Sequence, residues 1–133
     1  MTLIVDASVA VKWVLPEADS NKAALLRTSD TDIIAPSLVI AEIGNAIWKS
    51  AMRGDMNAAD AQHALKIVVA HYHRLLPVED LMTPALAFAT DLRHPIYDCF
   101  YLALAEREAA TLITADERLL AATKKTKIKA KGL

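Results

Sequence analysis

Residues 3–8 read LIVDAS and residues 112–117 read LITADE. Each is a short apolar run that delivers an aspartate just past its end: Asp6 in the first, Asp116 in the second. Apolar runs of this length without alternation suit strands buried on both faces, and such strands belong to parallel sheets covered by helices. In an open parallel sheet, ligands bind outside the carboxyl ends of the strands. The two aspartates are therefore expected in one crevice.

The pattern between these runs supports that sheet. Thr2–Val5 is the first strand, and residues 7–14 read as a helix that must stop before Pro16. A helical piece follows over 19–27, then a strand over 32–35 ended by Pro36. Ser37 is placed to cap a long helix running to Arg53, broken at Gly54-Asp55, and a further helix from Asn57 or Asp60 runs to about His73. Residues 75–78 form a third strand, with Pro77 marking an edge or an early end. Helices over 81–92 and 95–109, a strand over 111–114, a helix over 115–123 and an edge strand over 127–130 complete the chain. Short strands alternating with helices imply right-handed crossovers with helices on both faces. The expected fold is α/β, one domain over residues 1–133.

The bulk numbers agree. A chain of 133 residues with 54% apolar and 23% charged residues can build one ordinary core. The single Cys99 excludes an internal disulfide and fits a reducing compartment. Apolar runs are interrupted by Asp6, Lys12, Glu42 and Asp98, short of the ~20 residues a bilayer span needs. MTLIVDASV (1–9) has no basic n-region or cleavage site, so a cytoplasmic location and no membrane association are expected. The net charge is −1, but Lys124, Lys125, Lys127, Lys129 and Lys131 supply five positive charges, leaving −6 on residues 1–123. That is not the broad basic footprint of an avid nucleic-acid binder. The tail reads as a solvated end or a lysine-guarded edge strand, with phosphate holding as the sharper alternative.

Four carboxylates stand out. Asp6 has a plain structural use as the N-cap of the helix that follows, and Asp116 lies in a T-x-x-E capping box formed by Thr114 and Glu117. Glu42 interrupts LVIAEIGNAI (38–47), where a 3.6-residue period aligns it with Asn45 and Lys49 in a narrow polar stripe. Asp98, in YDCFYLALA (97–105), suits the positive end of a helix opened by Pro95. The next two turns of that helix are apolar all round, which implies full burial. Four unpaired acids in one crevice would repel one another, and no matching set of buried arginines or lysines is near in sequence. A divalent cation resolves the conflict. Hard oxygen ligands without a Cys or His set point to Mg²⁺ or Mn²⁺ rather than Zn²⁺, and such a site suits phosphoryl chemistry.

DASVAVKWVLPE (6–17), AEIGNAIWK (41–49), IYDCFYLALAE (96–106) and LITADERLL (112–120) together resemble the four motif blocks of PIN-domain ribonucleases, most nearly the VapC toxins of toxin–antitoxin pairs. The blocks are in register over residues 1 to about 122. The resemblance implies a PIN-like three-layer α/β/α sandwich with a mainly parallel sheet of four to five strands. It implies a catalytic and metal-binding set of Asp6, Glu42, Asp98 and Asp116, with Ser8 and Thr114 in support. It also implies hydrolysis of RNA phosphodiester bonds with Mg²⁺ or Mn²⁺, a tRNA or rRNA substrate, a homodimer and a cognate VapB-type antitoxin. The lysine-rich tail lies outside the blocks.

Other chemistries fit less well. His63, His71, His73 and His94 lack metal-ligand spacing, and His94 reads as a helix-entry residue. Cys99 sits in an apolar setting without a base. No phosphate-cradling glycine loop exists, which excludes P-loop and dinucleotide-binding readings. A receiver-like phosphoacceptor wants an adjacent acidic pair after the first strand, and LIVDAS has one Asp. The alternative kept beside the nuclease is a non-catalytic interaction module that works through antitoxin and DNA-complex binding, to which the −6 charge of residues 1–123 lends weight.

Overall fold

A computed structural model describes all residues, Met1–Leu133. Five strands form one sheet: β1 (Thr2–Val5), β2 (Asp32–Pro36), β3 (Arg74–Leu76), β4 (Thr111–Ile113) and β5 (Ala130–Lys131). Their order is β3-β2-β1-β4-β5 and every pairing is parallel. The chain therefore builds outward from β1 to β3, crosses back, and continues through β4 to β5. The reversal leaves a topological switch point between β1 and β4, where open sheets form their ligand crevices.

The helices are α1 (Ala7–Ala10), α2 (Ser20–Ala24), α3 (Val39–Met52), α4 (Ala58–Ala70), α5 (Met82–Leu92), α6 (Ile96–Glu108) and α7 (Glu117–Thr123). With right-handed crossovers, α2–α4 cover one face and α5–α7 the other. Ile4, Val5, Ile33, Ile34 and Leu112 are fully or almost fully buried between the layers, and the apolar run Cys99–Ala105 of α6 packs on the sheet. Each such large side chain contributes about 1.5–3 kcal/mol. Those burials explain why α6 lacks a polar face.

Several boundaries differ from the sequence reading. The helix expected over 7–14 is α1 followed by a 3₁₀ turn, Val11–Trp13. Pro36 closes β2 rather than following it, and β3 is shorter, ending before Pro77 on the sheet edge. Ser37 does not cap α3: its hydroxyl accepts from Val78 N at 3.3 Å, tying the β2 exit to the β3 exit. The last strand is confined to residues 130–131, because residues 124–129 loop away before pairing begins. Gly54 breaks the α3–α4 hairpin as expected, with φ +84°. No helix is long and apolar enough to cross a membrane.

Candidate active site

The register of β1 and β4 sets the centre of the site. Val5 pairs with Ile113, so the next step along both strands puts Asp6 beside Thr114. Thr114 Oγ1 donates to Asp6 Oδ2 at 2.5 Å, and Ser8 Oγ donates to Asp6 Oδ1 at 2.6 Å. The Val9 amide donates to the same Oδ1 at 3.3 Å, so Asp6 does cap α1. The cap and the site are one arrangement. Ser8 in turn accepts from Ala115 N at 2.9 Å, and Thr114 from Asp116 N at 3.0 Å. These hydroxyls clamp the ends of the two strands together. Tyr72 Oη secures β1 from the other side by donating to the Val5 carbonyl at 2.7 Å.

Glu42, in the first turn of α3, accepts a 2.6 Å hydrogen bond from Tyr101 Oη of α6. Asp98, in the first turn of α6, has Oδ2 2.6 Å from Nε2 of His94, which precedes the helix. With Asp98 ionised, that ring nitrogen carries the proton. Asp116 caps α7, its Oδ1 accepting from Arg118 N at 2.9 Å and Leu119 N at 3.3 Å. The capping box expected from Thr114 and Glu117 does not form. α7 starts two residues later than the sequence suggested, and Thr114 is drawn to Asp6 instead.

Three of the four carboxylates feel one another. Burial, offset in part by the Ser8, Thr114 and Val9 hydrogen bonds, and the charge of Asp98 raise the Asp6 pKa from 3.8 to about 6. Glu42 rises from 4.5 to about 6 through burial, against the Tyr101 hydrogen bond and with repulsion from Asp6 and Asp98. Burial and the neighbouring Glu42 charge hold the Tyr101 phenol well above its usual range, so it stays a donor. Asp116 is joined to this group through the Thr114 hydroxyl, with its own carboxylate turned to the α7 amides.

Three expectations are overturned. Asp98 is not fully buried: its side chain keeps 25% exposure, because the first turn of α6 lies at the open end of the sheet while the following turns pass beneath it. Nor are the four acids unpartnered, and His94 is more than a helix-entry residue. Every buried side-chain polar atom has a partner. The partners are neutral hydroxyls, backbone amides and one imidazole, so charge is accommodated without being cancelled by lysine or arginine. Sequence reasoning missed Tyr101 and His94. The 98/101 spacing (i,i+3) was the available signal for Tyr101, which lies on the α6 face of Asp98, whereas His94 precedes the helix and reaches Asp98 from outside it.

Glu42 faces an open cleft. A cavity of about 360 Å³ is bordered by Ala7, Ser8, Val11, Glu42, Asn45, Ala46 and Lys49. The Glu42–Asn45–Lys49 stripe read from the sequence thus reaches solvent and forms a wall of the cleft. No three acidic, imidazole or thiol groups sit close enough to close round one ion in this arrangement. Asp98 Oδ1, Glu42 Oε2 and Asp116 Oδ2 nevertheless make no hydrogen bond to protein. The donor set is carboxylate and hydroxyl oxygen, which fits a hard divalent cation.

A five-stranded parallel sheet with acids and hydroxyls gathered at its switch point is the architecture of a PIN domain. The chain belongs to that family: the family model named PIN domain matches residues 3–125. Among curated relatives, Ribonuclease VapC3 of Pyrobaculum aerophilum is 31% identical over 121 residues, spanning 90% of this chain and 92% of the relative. Ribonuclease VapC9 of Mycobacterium tuberculosis is also 31% identical, over 88% of this chain and 87% of its own. Among solved structures, PAE2754 from Pyrobaculum aerophilum superposes with a TM-score of 0.69 at 29% identity, covering 98% of this chain and 83% of that one. VapBC2 from Rickettsia felis, bound to a DNA fragment from its promoter, gives 0.73 at 18% identity, over 100% of this chain and 99% of that one, a likeness of fold.

Proposed function

We propose that the chain is a Mg²⁺- or Mn²⁺-dependent endoribonuclease, the toxin of a VapBC-type pair. The observation that carries this reading is the gathering of Asp6, Glu42 and Asp98 at the switch point, partnered by hydroxyls, a backbone amide and one imidazole and by no lysine or arginine. Asp6, Asp98 and Asp116 would hold a divalent cation, and Glu42 a second ion or the attacking water. A bound divalent cation supplies charge neutralisation at the phosphate and lowers the pKa of water. Ser8 and Thr114 fix both oxygens of Asp6, and Tyr101 fixes Glu42, so the acids meet substrate in a set geometry. Water would attack the phosphorus in line as the bond to the leaving ribose oxygen breaks, with Glu42 orienting the water and the proton it loses passing through solvent to the departing oxygen.

The names of the relatives support RNA as substrate, and tRNA or rRNA is the class we favour. The VapBC complexes among the structural neighbours support a VapB-type antitoxin as partner. A homodimer and a cytoplasmic location belong to the same reading.

The test is cleavage of total bacterial RNA mapped by end sequencing, with Mg²⁺ or Mn²⁺ and with chelator, for wild type and Asp98→Asn. Discrete new ends that need both metal and Asp98 are expected. Their absence with folded, antitoxin-free wild type would refute the nuclease and leave the interaction module.

A further inference from the structure

A second and larger cavity, about 510 Å³, lies between α5, α6 and the segment that follows α7. Lys125, Lys127 and Lys129 line it, over a floor that includes Phe88, Leu92 and Ile128. The tail is built for this. Lys125, Lys127, Lys129 and Lys131 are exposed, while Thr126, Ile128 and Ala130 between them are half-buried, with Ile128 and Ala130 packed on the core. The alternation turns the lysines outward as one row. Lysine protection of a sheet edge accounts for Lys129 and Lys131, which flank or lie in β5, but not for Lys125 and Lys127, which precede it.

None of these lysines, nor Arg118, takes part in an ion pair, whereas Lys12, Lys22, Arg53 and Arg74 all do. Asp91 and Glu106 also border the cavity without engaging them. The row connects to the acidic site. A smaller cavity beside it is lined by Leu92, His94, Arg118, Ala121, Ala122 and Lys125. Leu92 and Lys125 border both cavities, and His94 is the partner of Asp98. Arg118 and Lys125 mark the two ends of α7, about 10 Å apart at the helical rise.

We infer that Arg118, Lys125, Lys127 and Lys129 form a phosphate track that holds single-stranded RNA along α7 and leads it to the acidic cleft. The inference rests on the nuclease reading for the destination of the strand, but not for the contact itself. The physical need is plain: with −6 on residues 1–123, the rest of the chain repels a polyanion, and the tail is its one concentration of uncommitted positive charge. Lysines on a mobile stem give sequence-independent attraction, so the track would contribute affinity and orientation rather than choice of base.

The experiment measures binding of a fluorescent single-stranded oligoribonucleotide in chelator, as a function of salt, for wild type and the triple variant Lys125→Gln/Lys127→Gln/Lys129→Gln. Single-strand binding loses about 0.7 in log–log salt slope per phosphate contact, so the triple variant should lower the slope by about 2. The triple Lys→Arg variant should retain it. Cleavage of a dinucleotide, too short to reach the tail, should be unchanged in the glutamine variant, while KM for the long strand rises. An unchanged slope in the glutamine variant would overturn the track and leave the nuclease standing. A wild type that retains an acidic peptide but binds no RNA would also overturn it. A slope that falls as expected in a protein that cuts no RNA would support the track and refute the nuclease.

Discussion

Replacing Asp6 by asparagine should stabilise the metal-free protein at neutral pH. Asp6 is 5% exposed and its folded pKa is about 6, against an ordinary 3.8. The folded state thus binds this proton roughly a hundredfold more tightly than the unfolded chain. At about 1.4 kcal/mol per factor of ten, the ionised carboxylate costs about 3 kcal/mol of stability above pH 6. The sign follows from linkage. A carboxyl whose pKa is raised on folding favours the native state below 3.8, and that advantage is lost as pH rises through about 6. Glu42, raised from 4.5 to about 6, acts in the same direction, more weakly because it is partly exposed.

Asparagine removes the charge and keeps the geometry. Its Oδ1 can accept from Ser8 and Val9 as Asp6 does, its Nδ2 can donate to a rotated Thr114 hydroxyl, and asparagine is a good N-cap. For a chain of this size, 1 kcal/mol moves Tm by about 4 °C, so Asp6→Asn should melt up to about 10 °C above wild type at neutral pH. The gap should be about halved near pH 5 and vanish toward pH 3, because wild type then takes up its proton on folding. Thermal melts of both proteins in chelator, over that pH range, decide it. Other titrating groups are common to both chains, and relief of the Asp6 charge on Glu42 adds to the gap in the same direction. A variant that melts at or below wild type at neutral pH, or a gap independent of pH, would refute the assignment of Asp6 as a strained carboxylate.

Tyr101→Phe removes the one protein donor to Glu42. A fully buried acceptor left unpaired costs about 1–3 kcal/mol, and half-buried Glu42, which water can reach in part, should lose about 1 kcal/mol. The loss should be larger above about pH 6, where Glu42 is ionised, than below it, as urea melts at two pH values would read. For Asp98→Asn, RNA cleavage should fall about a hundredfold or more while Tm shifts by only a few degrees, since the side chain is 25% exposed and an amide can still meet His94. A large fall in Tm would count against a functional role. Thr114→Val removes the donor to Asp6 and the acceptor for Asp116 N together, at about 2 kcal/mol by denaturant melts. Cys99 is fully buried and its thiol is pushed up to about 11 by burial and then by Asp98, so iodoacetamide should label it only at the rate of unfolding. Rapid labelling of the native protein would contradict that burial.

Much of the fold was legible because the strands are buried on both faces. LIVD and LITA have no polar alternation to confuse with an edge, and the β-branched runs are bounded by prolines or aspartates. The lateral contact of Asp6 with Thr114 was not legible, since it depends on a register that only the paired strands define. Asp98 departs from its expected burial for a geometric reason: periodicity reports how a helix is surrounded along its length and says nothing about which end emerges from the sheet. Glu42 and Tyr101 are 59 residues apart, and no local pattern links them. His94 lies before Pro95, outside the helix, so helical periodicity does not place it beside Asp98.

The partners chosen for the acids bear on what the site is for. A structural cluster of carboxylates would be expected to recruit arginine or lysine, as Asp32 does with Arg74 on the sheet edge. Here Asp6, Glu42 and Asp116 are held by hydroxyls and amides, which set orientation without removing charge. The nearest basic side chain along the cleft, Lys49, forms no ion pair with Glu42, although both border the same cavity. The protein therefore retains unneutralised negative charge at the one place where its topology opens a crevice, at a cost of about 3 kcal/mol for Asp6 alone. Folding gains nothing from that charge. It is accounted for if something positive completes the site, and the phosphate track beside α7 supplies the complementary feature, positive charge set apart from the acids along the route a polyanion would take.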